Sequence, residues 1–213
     1  LANVYSDDAF MERYMHGLLF SHALWFMHVS SLHFFRQRLE SRVPAGGRVL
    51  EVGPGHGLLL YLALTDFRLA EAHGWDLSEV SLAQTRAAMA RLGAEDRARF
   101  VKQDMNRIAL SGETFDLVIL SHILEHLDAP VAALESMRPT LGKTGQLFVN
   151  VPLNAPMPDH IILLQSPDEA CDLLRKSGYQ IVEMSTHTTQ AVSLSRALRR
   201  QVAVTCSIIA EPA

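Results

Sequence analysis

The chain has 213 residues, 48% of them apolar and 20% charged, with a formal net charge of −4 at pH 7. That length supports one globular domain with additions and a full core, and the composition is that of a folded chain. No Lys/Arg run is present beyond the small cluster Arg196, Arg199 and Arg200, which argues against a non-specific nucleic-acid binder while leaving recognition of a single RNA end open.

Cys171 and Cys206 show no paired spacing, so neither a disulfide framework nor a cysteine zinc site is expected, as suits a reducing cytoplasm. The apolar run Leu18–Val29 is too short to span a bilayer and is interrupted by His22 and His28. It also lacks the charged start and cleavage site of a signal peptide. A cytoplasmic protein without a membrane partner is the expectation.

Residues 1–44 read as a helical cap. Ser6 suits a helix N-cap before Asp7 and Asp8, and Phe10, Tyr14 and Leu18 recur every four residues. A second helix is predicted from Ser21 to Glu40, and Pro44, Gly46 and Gly47 close the region.

From residue 45 to 213 short apolar runs alternate with helical patterns. "RVLEVG" predicts a first strand and a helix follows from about Gly57. "LAEAHGWD" predicts a second strand, then a helix capped by Ser78 and ended by Gly93. "ARFVKQD" and "FDLVILS" predict the third and fourth strands, and the stretch after the latter reads as helical. "GQLFVNVP" is the fifth strand. Ser166-Pro167-Asp168-Glu169 opens a helix that Gly178 stops. "YQIVEMST" and "VAVTCSIIAEP" complete the set. Strands alternating with helices predict a doubly wound α/β sheet, with ligands beyond the carboxyl ends of the strands.

The first strand runs into "LEVGPGHG", with Glu51, Gly53, Gly55 and Gly57. A dinucleotide fingerprint would need glycine at 58, where Leu58 stands. This disfavours a nicotinamide-dependent oxidoreductase. Glu51 would repel a pyrophosphate and attract a cationic amine. Asp76 ends the second strand, where an acid can accept from both ribose hydroxyls. Asp104 ends the third, where it can accept from an adenine amine beside the Met105 backbone. Singly, each acid reads equally as a helix cap or loop residue. Together they suit S-adenosylmethionine, which carries an amine, a ribose and an adenine but no phosphate.

"VLEVGPGHG", "GWDLS", "VKQDM" and "FDLVILSHILEHL", in that order, resemble successive motifs of class I S-adenosylmethionine-dependent methyltransferases of the small-molecule type, over roughly residues 45–211. The resemblance implies a Rossmann-like seven-stranded sheet whose last strand is antiparallel. It also implies that Glu51 and the glycines hold the methionine end, Asp76 and Leu77 the ribose side, and Asp104 and Met105 the adenine, with Ser121 at the methyl. Segments before the first strand cap the pocket in this family, which gives Tyr5, Tyr14, Trp25 and part of the Leu18–Phe35 helix a lid role. Met157 is a pocket-lining candidate.

"SHILEHL" contains His122-x-x-Glu125-His126, the inverted zinc-protease spacing. The glycine loop and the adenosine acids have no place in a protease. On an α-helix, His122, Glu125 and His126 would share one face. Two readings stay open: structural hydrogen bonds, or a divalent transition-metal site completed by His160 on the loop after the fifth strand. The set is similar to that of small-RNA 2′-O-methyltransferases, which carry Glu at the first position. Without metal, His122, His126 or His160 is a candidate general base. The other N-terminal histidines, His16, His22, His28 and His33, share no helical face.

The expected function is therefore methyl transfer to a small-molecule acceptor, at oxygen rather than nitrogen or carbon, in biosynthetic tailoring, by a chain for which a homodimer stays open. A binding protein that holds the cofactor without chemistry is the rival.

Overall fold

Residues 8–105, 112–189 and 192–213 are described by a computed structural model. Its first helix, α1, spans Asp8–Leu24, and α2 spans Phe26–Leu39, with the intervening Trp25 in an extended conformation. The second helix thus begins later than its sequence pattern predicts. Local side chains account for the break. Ser21 Oγ donates to the Leu18 carbonyl at 2.7 Å, and His28 Nδ1 lies 2.9 Å from the same hydroxyl, clamping the two helices across Trp25. Ser6 and its expected cap lie outside the described residues. No described helix is long and apolar enough to cross a membrane.

The remaining elements are β1 (Arg48–Val52), α3 (Leu58–Thr65), β2 (Glu71–Asp76), α4 (Glu79–Arg91), β3 (Ala98–Lys102), β4 (Phe115–Ser121), α5 (Pro130–Met137), β5 (Leu141–Leu153), α6 (Pro167–Lys176), β6 (Tyr179–Thr188), α7 (Leu194–Arg199) and β7 (Val204–Pro212). The seven strands form one Rossmann-like sheet in the order β3-β2-β1-β4-β5-β7-β6, with β7 antiparallel to both of its neighbours. Central strands buried on both faces read as near-continuous apolar runs, as "VLEV" does around Glu51 and "LVIL" does after Asp116. The helix boundaries follow their punctuation. Ser78 accepts from the Ser81 amide, Ser166 from the Glu169 amide, and Gly93 takes φ +66° after α4.

Two apolar layers cover the sheet. On one face Phe35 and Leu39 of α2 join Leu60 and Leu64 of α3 over Val49, Ile119, Phe148 and Ile209. On the other, Leu134 of α5, Leu174 of α6 and Ala197 of α7 cover Leu50, Val118, Val149 and Ile208. The second half of α2 is therefore a core layer.

A polar row crosses the sheet near its carboxyl edge. Ser121, Asn150 and Ser207 are register partners on β4, β5 and β7. Asn150 Nδ2 donates to Ser121 Oγ at 3.1 Å, while its Oδ1 accepts from Ser207 Oγ at 2.7 Å and from Ser31 Oγ of α2 at 2.9 Å. This network fixes α2 to the strand ends. Asn150→Leu removes all three bonds and orphans buried hydroxyls, for an expected cost of about 2–4 kcal/mol. Thermal melting should show a drop on the order of 5–15 °C; a melting point within a degree of the parent would contradict this role.

Candidate active site

The glycine loop leaves β1 at the carboxyl edge, where Gly53, Gly55 and Gly57 all have positive φ. At Gly53, with φ +63°, a Cβ would meet Ile123 Cδ1 at 2.4 Å, so both conformation and space demand glycine. The loop is tied to β2 by the Gly53 amide on Trp75 O at 2.7 Å, and to α4 by Thr85 Oγ1 on Gly55 O at 2.6 Å. Met15 of α1 comes within 3.7 Å of the position a Gly55 Cβ would take, so α1 lies over the loop.

Glu51 is buried just before this loop, and its Oε2 has no hydrogen-bond partner. Burial pushes its carboxyl well above the ordinary 4.5, opposed only by the Leu60 amide. A buried carboxylate oxygen with no protein donor is costly and marks a place for a cationic or donor group from a ligand. Asp76 is engaged locally, its Oδ1 accepting from the Ser78 amide and its Oδ2 from Ser81 Oγ, each at 2.8 Å. These bonds tie the end of β2 to Ser78, the N-cap of α4. Leu77, exposed beside it, is available to cover a ring. Asp104 follows β3. The Met105 side chain belongs to the core, and its carbonyl accepts from Ser136 Oγ at 2.6 Å.

The segment after β4 departs from the sequence expectation. Only Leu124–His126 is helical, as a single 3-10 turn, and His122 precedes it with φ +57°. The left-handed residue redirects the chain, so the three polar side chains do not share an α-helical face. Such a conformation costs a non-glycine residue on the order of 1 kcal/mol and is concentrated at functional sites. The His122 amide still extends the sheet, donating to Asn150 O at 3.0 Å.

Two groups result. In the first, ligand atoms of Glu125, His126 and His160 lie within 4.8 Å of one another. The loop after β5 is folded back to make this possible, with the Ile161 and Ile162 amides both donating to the Glu125 carbonyl, at 2.7 and 3.2 Å. Nδ1 of His126 faces Asp159 O at 2.9 Å and Nδ1 of His160 faces Ala155 O at 2.7 Å. Carbonyls can only accept, so Nδ1 is the donor in both rings and Nε2 is the ring atom left to face a ligand. Glu125 is buried with Oε2 unpaired.

The second group was not legible in the sequence. His122 Nδ1 lies 3.2 Å from Glu125 Oε1, and its ring is 5.8 Å from that of His28. His28 lies 5.1 Å from His22, and His22 lies 4.9 Å from His56 of the glycine loop. Both His22 and His28, with His122, Ser31, Leu32, Phe35, Leu59 and Asn150, line a narrow cleft of about 10 Å³. Burial, then the charges of His122 and His22, lowers His28 to about 3; burial, then His22, lowers His56 to about 4. Burial also lowers His22, against the Leu18 carbonyl. His22 and His28 meet only because α1 and α2 part at Trp25. His16 and His33 remain exposed and outside the cluster.

Of the lid candidates, Trp25 sits exposed at the α1–α2 junction and Met157 is exposed on the β5–α6 loop. Tyr14 lies in α1 with its side chain outside the description, and Tyr5 lies outside the described residues.

Comparison with known proteins converges on this arrangement. Residues 49–145 match the family description "Methyltransferase domain". The chain is 32% identical over 115 residues to a phosphatidylethanolamine N-methyltransferase of Cereibacter sphaeroides, covering 54% of this chain and 55% of that protein. The match therefore spans about half the length of that relative. It is 28% identical over 185 residues to a ubiquinone biosynthesis O-methyltransferase of Roseobacter denitrificans, covering 76% of this chain and 71% of that one. An O-methyltransferase from neocarzinostatin biosynthesis, solved with S-adenosylmethionine and a hydroxylated naphthoic acid, superposes with a TM-score of 0.71 at 15% identity, over 97% of this chain and 59% of its own. Residues 49–145, which carry β1 to β4 and the glycine loop, are thus similar to a methyltransferase domain, and the chain shares the fold of that solved O-methyltransferase.

Proposed function

We propose that the chain transfers the methyl group of S-adenosylmethionine to an oxygen of a small molecule in a biosynthetic pathway. The observation that carries the donor assignment is Glu51, a buried carboxylate beside three left-handed glycines with one oxygen lacking any protein partner. The donor's ammonium supplies that partner. Asp76 and Asp104 then receive the ribose and the adenine, with Leu77 and the Met105 backbone alongside. The two curated relatives, named for methyl transfer to nitrogen and to oxygen, support the reaction class.

Sulfonium chemistry needs alignment and a nucleophilic acceptor. In this reading the acceptor oxygen attacks the methyl carbon in line with the departing sulfur and yields S-adenosylhomocysteine. The hydroxyl proton passes to an imidazole at the β4 and β5 ends. His122 suits this best: Nδ1 is held by Glu125, which orients the ring and leaves Nε2 to receive the proton.

Glu125, His126 and His160 suit a divalent transition metal. Their backbone-anchored Nδ1 atoms and the unpaired Glu125 Oε2 are the pattern in which a histidine ligand is oriented by a carbonyl behind it. Such an ion would supply Lewis acidity toward the acceptor oxygen. His122 is set apart from this triad by its bond to the other Glu125 oxygen.

A screen of phenols, catechols and amines with methyl-labelled donor tests the reading. Label is expected in a hydroxylated acceptor, and label confined to amines would replace oxygen by nitrogen. Turnover that is unaffected by chelation, with no metal in the purified protein, would remove the metal and leave His122 as sole base. Binding of the donor with no labelled product from any acceptor would favour a cofactor-holding protein.

A further inference from the structure

β5 ends at Leu153, and the residue that leaves it, Asn154, is only 8% exposed and takes φ +52°. Its amide donates to Leu164 O at 2.9 Å, which closes the neck of the loop between β5 and α6. The next carbonyl, that of Ala155, faces Nδ1 of His160 at 2.7 Å. The same loop returns onto the Glu125 carbonyl through the Ile161 and Ile162 amides. Asn154 therefore stands at the base of the loop that brings His160 to Glu125 and His126. On the neighbouring strand His122 follows β4 with φ +57°, and its amide is bonded to Asn150 of β5. Both strands are thus left through a left-handed residue with a polar side chain, a conformation concentrated at functional sites.

The backbone alone accounts for an asparagine, which visits this conformation more readily than other side chains do. It does not account for the state of the carboxamide. Nδ2 is buried and has no hydrogen-bond partner. The other buried side-chain atoms without one, among the described residues, are carboxylate or amide oxygens, a hydroxyl and an imidazole nitrogen. Nδ2 of Asn154 is the one that can only donate. Leaving such a group unpaired is costly, so it marks a place for an oxygen or nitrogen lone pair from a ligand. Turned over, the amide would bury Oδ1 instead, at an edge where Glu125 Oε2 is already an acceptor without a donor. The donor end is what this edge lacks.

We propose that Asn154 donates through Nδ2 to the acceptor atom itself and so selects oxygen over nitrogen. This rests on the methyl-transfer reading above and names the residue that sets its preferred atom. A hydroxyl oxygen has two lone pairs. One receives the Asn154 N–H. The other forms the bond to the methyl carbon while the carbon–sulfur bond breaks, and the hydroxyl proton passes to His122. A neutral amine has a single lone pair. Turned to Asn154, it cannot attack; turned to the methyl carbon, it leaves Nδ2 unpaired. A site whose buried polar group is left unpaired by the wrong substrate rejects that substrate strongly.

The test offers both atoms in one molecule. With ortho-aminophenol and methyl-labelled donor, the parent is expected to place label on oxygen. Asn154→Gly keeps the left-handed backbone and removes the amide. It is expected to lower O-methylation about 10²-fold, with N-methylation and donor affinity little changed. Asn154→Asp puts an acceptor where the donor was, which can hold an amine N–H, and is expected to turn the product ratio toward nitrogen. The ratio is taken within one molecule, so a merely structural Asn154 would lower both products together and leave it unmoved. Label on oxygen in the parent with an unchanged ratio in both variants would overturn this inference. So would label on nitrogen alone, or on neither atom, in the parent. Catechol carried in parallel then decides the transfer reading: methylated catechol leaves transfer to oxygen standing, and unmethylated catechol removes it as well.

Discussion

Glu51→Gln is expected to stabilise the ligand-free protein while weakening its affinity for S-adenosylmethionine about 10²-fold. The carboxylate is buried, receives help only from the Leu60 amide, and leaves Oε2 without a donor. Burying an unpaired charge is unfavourable, and a neutral amide of the same shape avoids that cost. In the proposed reading the donor's ammonium repays it, so losing the charge removes a desolvated ion pair whose disruption typically costs 2–5 kcal/mol; 10²-fold is at the lower end. The pH dependence separates this from a packing effect. Glu51 has a raised folded-state pKa, so its contribution is fully favourable below the unfolded value of 4.5 and is lost as pH rises through the folded value. The melting-temperature advantage of the variant should therefore grow as pH rises above 4.5 and then level off. Donor binding to the parent should release a proton over the same interval, seen as a buffer-dependent calorimetric enthalpy. A variant that melts lower at neutral pH and keeps its donor affinity would refute both halves of the argument.

The contrast between Glu51 and the histidines shows where a sequence stops being informative. Glu51 was legible because its surroundings are local: an apolar strand before it and three glycines after it define burial and direction at once. The strands were legible for a related reason, since parallel strands covered on both faces must be apolar throughout. Ser78, Gly93 and Ser166 announced their helix ends because capping chemistry is confined to one turn. The segment Ser121–Leu127 misled because a single residue, His122, takes left-handed backbone angles and shortens the following helix to Leu124–His126. No pattern of apolar residues reports that choice, which follows from the pairing of the His122 amide with Asn150 and from the returning loop on Glu125. Spacing analysis separated His22 from His28 because it assumed unbroken helices. Their meeting depends on the extended Trp25, and their meeting with His56 and His122 on how α1 lies across the glycine loop. The contacts of Asp76 are local too, since its carboxylate accepts from Ser78 and Ser81 at the start of α4.

Acidification is expected to loosen α1 and the first turns of α2 from the sheet before the sheet itself unfolds. His22 of α1, His28 of α2 and His56 of the glycine loop are all depressed, with burial as the largest cause and neighbouring histidines adding to it. Each binds a proton near 6.5 once released, whereas in place His28 and His56 resist protonation down to about 3 and about 4. The unfolded state therefore holds more protons throughout that interval, and the sign is fixed: their contribution is complete above 6.5 and is lost as pH falls toward 4. Each group contributes a slope of at most about 1.4 kcal/mol per pH unit. The effect concentrates in the cap because His22 and His28 sit there, opposite His56 and His122. Glu125 is the carboxylate facing His122, with Oε1 3.2 Å from its Nδ1. Local opening is then the cheaper response, because the rest of α2 is anchored by Phe35, Leu39 and the Ser31–Asn150 bond. Hydrogen exchange at pH 7.5 and 5.5, corrected for intrinsic rates, should show protection lost by at least about tenfold in α1 while β1, β4 and β5 stay protected. His28→Asn keeps a polar side chain without the titration and should flatten that dependence. Equal protection of α1 at both pH values would show that the histidine contacts do not govern how the cap is held.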